Sequence, residues 1–200
     1  DQRMKRRVER TLKQSGAELS RVEFYVIRTN RSWIRDCGPI FVTRRTAKGQ
    51  RRIAVTDWGF NGWARYRAWT RDNIVPDRVA KILDVPRFPV RIQLSGQFRN
   101  VVLEGGSIDV NGQGLLLTTE ECLLGRVQAR NPGLSRESIE YVLKASLGIQ
   151  KVLWLRGGID GDDTNGHIDD VARFVAPNTV VAAVERNHND SNYETLRQNY

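Results

Sequence analysis

The chain is poor in the residues that build disulfide frameworks, metal cages and membrane spans. Its 200 residues include two cysteines, Cys37 and Cys122, two histidines and one methionine. Two cysteines cannot supply a disulfide scaffold, and they fit a reducing, cytoplasmic compartment. No apolar run approaches the roughly 20 residues that a membrane-spanning helix needs. The opening Asp1-Gln2-Arg3-Met4-Lys5-Arg6-Arg7 is not a basic-then-apolar secretory leader. There is no His-Glu-x-x-His and no cysteine pair at zinc spacing, so a zinc or di-metal hydrolase is poorly served. A calcium loop fails too. Counted from Asp160, the position that an EF-hand needs as glycine is Asn165, and the one it needs as glutamate is Val171. No bound metal is expected.

What is present is ordinary globular composition, 40% hydrophobic and 28% charged, in a chain long enough for one full-sized domain. Basic residues outnumber acidic ones 32 to 23, for a net charge of +9, and 26 of the 32 are arginine. Such a balance can serve nucleic acid or a membrane surface, but both need clustering. Only Arg3 to Arg10 and Arg44 to Arg52 are locally dense, and no basic stripe is interleaved with aromatics. Neither a nucleic-acid nor a membrane partner is expected, since arginine dispersed over helices and loops gives the same net charge.

Periodicity predicts alternating short strands and single helices, an α/β class. Met4, Val8 and Leu12, stopped by Gly16, read as an amphipathic helix of about 15 residues. Strands are expected at Val22–Arg28, Ile40–Thr43 and Arg51–Trp58. A helix over Asp72–Leu83 follows, with Asp72 or Asn73 as its cap and Pro76 tolerable near its start. Further strands are expected at Val90–Leu94, Val101–Glu104 and Ser107–Val110. From there an Asn111-Gly112 turn leads into a strand at Leu115–Thr119. Ser135 caps a second helix with apolar face Ile139, Val142, Leu143 and Leu147, ended by Gly148. Strands at Lys151–Leu155, Val171–Val175 and Thr179–Val184 precede a last helix from Asn192.

A longer period accompanies these elements. Three segments place a polar, acid-bearing turn beside a short apolar strand: Arg35-Asp36-Cys37-Gly38-Pro39-Ile40, Glu104-Gly105-Gly106-Ser107-Ile108, and His167-Ile168-Asp169-Asp170-Val171. Asp36 and Glu104 are 68 residues apart, Glu104 and His167 63. One supersecondary unit repeated at that spacing would present each acidic turn to a shared centre. His167 and Asp169, two apart, would point to one side of a strand. Taken singly, each feature has a plain structural reading: a satisfied histidine, a solvated acidic loop, a Glu-Gly-Gly turn, a core Trp33. Taken together, Asp36, Glu104, His167 and Asp169 are acids and a titratable imidazole gathered in a basic protein. That local field selects a cationic ligand.

Trp33-Ile34-Arg35-Asp36-Cys37-Gly38-Pro39, Asp57-Trp58-Gly59-Phe60-Asn61-Gly62-Trp63, Leu103-Glu104-Gly105-Gly106-Ser107-Ile108 and Gly161-Asp162-Asp163-Thr164-Asn165-Gly166-His167-Ile168-Asp169 together resemble the agmatine deiminase family. So do Thr118-Thr119-Glu120-Glu121-Cys122-Leu123-Leu124 and Arg130-Asn131-Pro132. The family belongs to the guanidine-modifying pentein superfamily, beside the bacterial peptidyl-arginine deiminases. The likeness runs from about Phe24 to Tyr200.

The resemblance implies a five-fold pseudosymmetric α/β propeller. Residues 1–200 would be an internal piece of a single such domain, holding about three of the five modules. It implies cofactor-free hydrolysis of agmatine to N-carbamoylputrescine and ammonia, a step toward putrescine. Asp36 and Asp169 would bond the planar guanidinium, Glu104 would hydrogen-bond it and assist proton movement, and His167 would act as acid and then base. Trp33 would wall the pocket, and Trp58 and the Asp162–Asp163 pair would recognise the amine tail. The family's nucleophile is a cysteine near its C-terminus. Cys37 and Cys122 do not match it, so residues 1–200 alone are expected not to turn over substrate. Two alternatives stay open: a peptidyl-arginine or free-arginine deiminase, where Arg65 could meet a carboxylate, and a non-catalytic guanidinium- or polyamine-binding module. Homo-oligomerisation is left open as well.

Overall fold

A computed structural model describes residues 1–200. Helix α1 (Gln2–Gln14) starts where Asp1 accepts a 2.8 Å hydrogen bond from the Met4 amide. The single turn α2 (Ile34–Cys37) precedes strand β1 (Ile40–Arg45), which pairs antiparallel with β2 (Arg51–Asp57). Helix α3 (Val75–Leu83) then crosses over, so that β3 (Arg87–Pro89) runs parallel to β2.

The same order recurs. After the hairpin of β4 (Arg91–Leu94) and β5 (Gln97–Asn100), a 3₁₀ turn at Gly105–Ser107 precedes β6 (Asp109–Val110), which pairs antiparallel with β7 (Leu115–Thr119). Helices α4 (Glu120–Leu124) and α5 (Arg136–Leu147) lead back to β8 (Lys151–Leu155), parallel to β7. A second such 3₁₀ turn, Ile168–Asp170, precedes the antiparallel pair β9 (Ala172–Ala176) and β10 (Thr179–Ala182), with α6 (Tyr193–Asn199) beyond. Each acidic turn is therefore one short helical turn ahead of a hairpin, and the recurrence anticipated from spacing is a recurrence of structure.

Strand β7 shows why this packs. As the middle strand of β6-β7-β8 it is buried on both faces, so alternate side chains serve different cores. Leu116 joins the main core with Val152 and the α5 stripe Ile139, Val142 and Leu143. Leu117 faces the other way, onto Ile168, Val171 and Leu196. Burial of one such side chain stabilises by about 1.5–3 kcal/mol. A third cluster, Cys37, Phe60, Trp63 and Val75, lies beside the first acidic turn.

Three expectations are corrected. Val22–Arg28 joins no ladder, because no strand lies beside it, and Tyr25 and Val26 are left about half exposed. Val101–Glu104 is not a strand. The ladder is made by residues 97–100 through a Ser95-Gly96 turn with both φ positive (48° and 79°), and residue 102 keeps only a single bridge to Gly59. Neither Asp72 nor Asn73 caps α3. Buried Asp72 instead accepts the amides of Asn30 (2.6 Å) and Arg31 (3.1 Å), and Asn73 accepts that of Phe60 (2.7 Å).

Candidate active site

The first and third acidic turns line a cleft of about 680 Å³, and the second packs against both from beneath, with Glu104 wholly buried. Asp36, buried in α2, is held by two donors: the Gly106 amide reaches Oδ1 (3.1 Å) and the Trp63 indole N–H reaches Oδ2 (3.0 Å). Trp63 sits at φ 57°, a left-handed conformation that costs an ordinary residue roughly 1–2 kcal/mol. That geometry accompanies an indole aimed at Asp36.

Glu104 leaves the strand-like stretch in extended conformation, and its carbonyl accepts both the amide (3.1 Å) and the hydroxyl (2.6 Å) of Ser107. Its carboxylate is fully buried, with Oε1 taken by Arg130 Nε at 3.1 Å. His167 is set from behind. Asp162 Oδ2 accepts the amides of Gly166 (2.7 Å) and His167 (3.2 Å), and the Thr119 hydroxyl bonds the Gly166 carbonyl. The ring then stands among three carboxylates: Nδ1 is 3.8 Å from Asp36 Oδ1 and 3.7 Å from Asp169 Oδ1, and Nε2 is 3.8 Å from Glu104 Oε2. None of these is a hydrogen bond. Glu104 Oε2 and His167 Nε2 are both buried without a partner.

The electrostatics follow from this crowding. Burial acts to lower the His167 pKa, but the carboxylates of Glu104, Asp36 and Asp169 outweigh it and hold the imidazole above its ordinary value. Burial acts to raise Glu104, and His167 and Arg130 outweigh it, holding that carboxyl low. For Asp36 burial wins and the pKa is raised, with His167 opposing and Glu104 assisting. The floor thus favours the protonated form of the imidazole and the ionised form of the Glu104 that faces it.

Ligand-type atoms of Glu104, Cys122 and His167 lie within 4.8 Å of one another. The donor set suits a metal ion poorly. Burial and the nearby Glu104 charge push the Cys122 thiol well above its usual pKa, and the Arg130 cation is already bonded to Glu104.

The structure brings Asp36, Glu104, His167 and Asp169 together. It places Trp33 at the cleft lip, 63% exposed. Asp163 lies at the mouth, where Tyr66 Oη (2.5 Å) and Arg65 Nη1 (2.7 Å) occupy its carboxylate. Trp58 is elsewhere: its ring follows β2 into the main core and its N–H bonds Thr56 Oγ1 at 3.0 Å, so it lines no wall of this cleft. Residues that sequence reasoning passed over are Trp63, Tyr66 and Arg130, and Asp162, expected to recognise the amine tail, instead holds its own loop and lines no wall of the cleft. Asp162 carried a signal, an aspartate ahead of Thr-Asn-Gly, the pattern of a side chain that caps its own loop. It accepts Thr164 N (2.7 Å) and Oγ1 (2.5 Å) as well as the two amides above.

The Porphyromonas-type peptidyl-arginine deiminase model matches residues 1–200. Agmatine deiminase of Medicago truncatula is 43% identical over 184 residues, covering 87% of this chain and 46% of the relative. Among solved structures, agmatine deiminase of Enterococcus faecalis catalysing its reaction matches with a TM-score of 0.74 at 40% identity, over 87% of this chain and 45% of that one. A cysteine-to-serine variant of C. jejuni agmatine deiminase with substrate bound matches at 0.73 and 31%, over 94% and 52%. The chain spans about half the length of these relatives, and its fold is the α/β pentein type that they share.

Proposed function

The chain belongs to the Porphyromonas-type peptidyl-arginine deiminase family, and from that premise we propose that the cleft takes the guanidinium of agmatine for hydrolysis to N-carbamoylputrescine and ammonia. One observation carries the reading. Two buried polar atoms, Glu104 Oε2 and His167 Nε2, have no partner in the protein, and the carboxylates of Asp36 and Asp169 stand on the other side of the same ring. A guanidinium offers a planar fork of N–H donors to the carboxylates among them, Glu104 Oε2, Asp36 and Asp169. Asp36 and Asp169 bind and orient it, and Glu104 accepts a further N–H.

His167, whose protonated form the surrounding carboxylates favour, supplies the proton. A cysteine thiolate forms a C–S bond to the guanidinium carbon, the C–N bond breaks, and nitrogen leaves as ammonia with the imidazole proton. Water then adds to the same carbon, returns one proton to His167 and gives its second to the released ammonia or to solvent, and the C–S bond breaks to restore the thiolate. One water is consumed and one ammonia released, with no cofactor or metal. Neither Cys37 nor Cys122 is that thiolate. Both are buried, Cys37 with its pKa pushed up to about 11 by burial and by Asp72 and Asp36. In this reading the nucleophile comes from outside residues 1–200. Trp33 and Asp163 at the mouth receive the amine tail.

A second reading, an arginine or peptidyl-arginine substrate, is favoured by Arg35, which lines the cleft without an ion-pair partner and could meet a carboxylate. Arg65 is engaged with Asp163 instead. Ammonia release by the full-length protein from agmatine, arginine and an arginyl peptide separates the two. Agmatine is expected to be preferred, and His167→Ala to lower kcat by about 10²–10⁴-fold. Preference for arginine moves the protein to the second reading. Agmatine binding with no release from any substrate makes it a binding module.

A further inference from the structure

Arg130 lies between α4 and α5 with its side chain, like that of Glu104, wholly buried. Every nitrogen of its guanidinium is used. Nε bonds Glu104 Oε1 at 3.1 Å, Nη1 bonds the Gln128 carbonyl at 3.0 Å, and Nη2 bonds the Thr164 carbonyl. Gln128, at φ 46°, extends the same loop: its side-chain amide donates to the carbonyls of Trp63 (3.1 Å) and Asp163 (3.2 Å). A single loop therefore grips the floor carboxylate, the Trp63 wall that donates to Asp36, and the 162–166 segment that sets His167. An arginine present only to fill space would not need a bond to its own loop and two more that end on separate parts of the cleft, the Glu104 carboxylate and the 162–166 segment. With Oε1 fixed by the guanidinium, Glu104 has only Oε2 to offer, and Oε2 is the atom that faces His167.

We propose that Arg130 is a positioning residue, which fixes Glu104 as a charged acceptor toward His167 and ties it to the 162–166 loop. The consequence for turnover rests on the deiminase reading, whereas the charge coupling of Arg130, Glu104 and His167 does not. His167 is faced by Asp36 from α2, by Asp169 from its own turn, by Glu104, and by Asp162 through its backbone, with Arg130 as the cation bonded to Glu104. That cation disfavours protonation of both Glu104 and the imidazole beside it. Without it, the pair should keep the proton to higher pH.

The test is the titration of His167 in ¹⁵N-histidine-labelled full-length protein, with the signal identified by its loss in His167→Gln. Arg130→Gln is expected to raise the titration midpoint by about one unit and to lower kcat by about 10- to 100-fold. Arg130→Lys should return the midpoint toward wild type by restoring charge. It should leave kcat reduced, because one ammonium cannot make three bonds in a fixed plane. An unchanged midpoint in a folded Arg130→Gln overturns the proposal. If that variant does not fold, wild-type kcat in Arg130→Lys overturns it. Should the wild type release no ammonia from agmatine, the deiminase reading falls alone and the midpoint shift still decides the coupling.

Discussion

Gly106 has room for a hydrogen and nothing larger. A Cβ there would lie 2.5 Å from His167 Nδ1 and 2.7 Å from Asp36 Oδ1, while the Gly106 amide is bonded to that same oxygen. Gly106→Ala should displace the imidazole and lower kcat/KM for agmatine by about 100-fold or more, with far-UV circular dichroism unchanged. Wild-type kcat/KM in that variant would contradict the described floor. The pH dependence of stability has a defined sign. Glu104 is held below its ordinary 4.5, so its contribution is full above pH 4.5 and is lost as pH falls through the folded value. His167 is held above 6.5, so its contribution is full below pH 6.5 and is lost as pH rises through the folded value. Their contributions overlap between those limits. Asp36, raised by burial, acts in the opposite sense on the acid side. The difference in unfolding free energy between wild type and Glu104→Gln, followed by denaturant titration, should therefore shrink below pH 4.5. A difference independent of pH would remove the charged pair from the picture. Asp36, Glu104, His167 and Asp169 were legible because acidic turns recur at long, similar spacing. Arg130 was not, because an arginine in a basic chain looks like surface until its burial is seen.

Among the elements, those with local punctuation were the readable ones. Helix α5 is bounded as its sequence indicates: the Ser135 hydroxyl accepts the Ser138 amide, and Gly148 closes the helix at φ 69°. Ser135→Ala should cost about 1 kcal/mol of stability, measured by chemical denaturation, and no loss would show that the cap is idle. Helix α3 has no such cap. Asp72, the evident candidate, is spent on the amides of Asn30 and Arg31, more than 40 residues away in sequence. The Val101–Glu104 run failed for a related reason. It is apolar because it crosses the main core, with Val101 and Leu103 buried there, and Asn131 supplies its pairing by bonding both the amide and the carbonyl of Val102 at 2.8 Å. An apolar run reports burial before it reports a ladder.

At the scale of the molecule, the recurrence of an acidic turn beside a short strand could be read from spacing, whereas the crossover helix and parallel strand that complete the first two units, and the convergence of the three turns, needed the tertiary packing. The same architecture leaves Val22–Arg28 without a ladder and Tyr25, Val26, Phe88 and Phe98 about half exposed or more. Residues 1–200 expressed alone should associate through such surfaces and elute from gel filtration above 22.9 kDa. A monomer with a sharp, cooperative melt would contradict that. The central claim is that Asp36, Glu104, His167 and Asp169 form a guanidinium site, and calorimetric titration of the full-length protein with agmatine, with putrescine as the amine that lacks the guanidinium, tests it without requiring turnover. Agmatine should bind at least about tenfold more tightly than putrescine, and Asp36→Asn should remove that advantage, a loss of about 1.4 kcal/mol or more. Equal affinity for the two ligands, or an unchanged preference in Asp36→Asn, would contradict the claim.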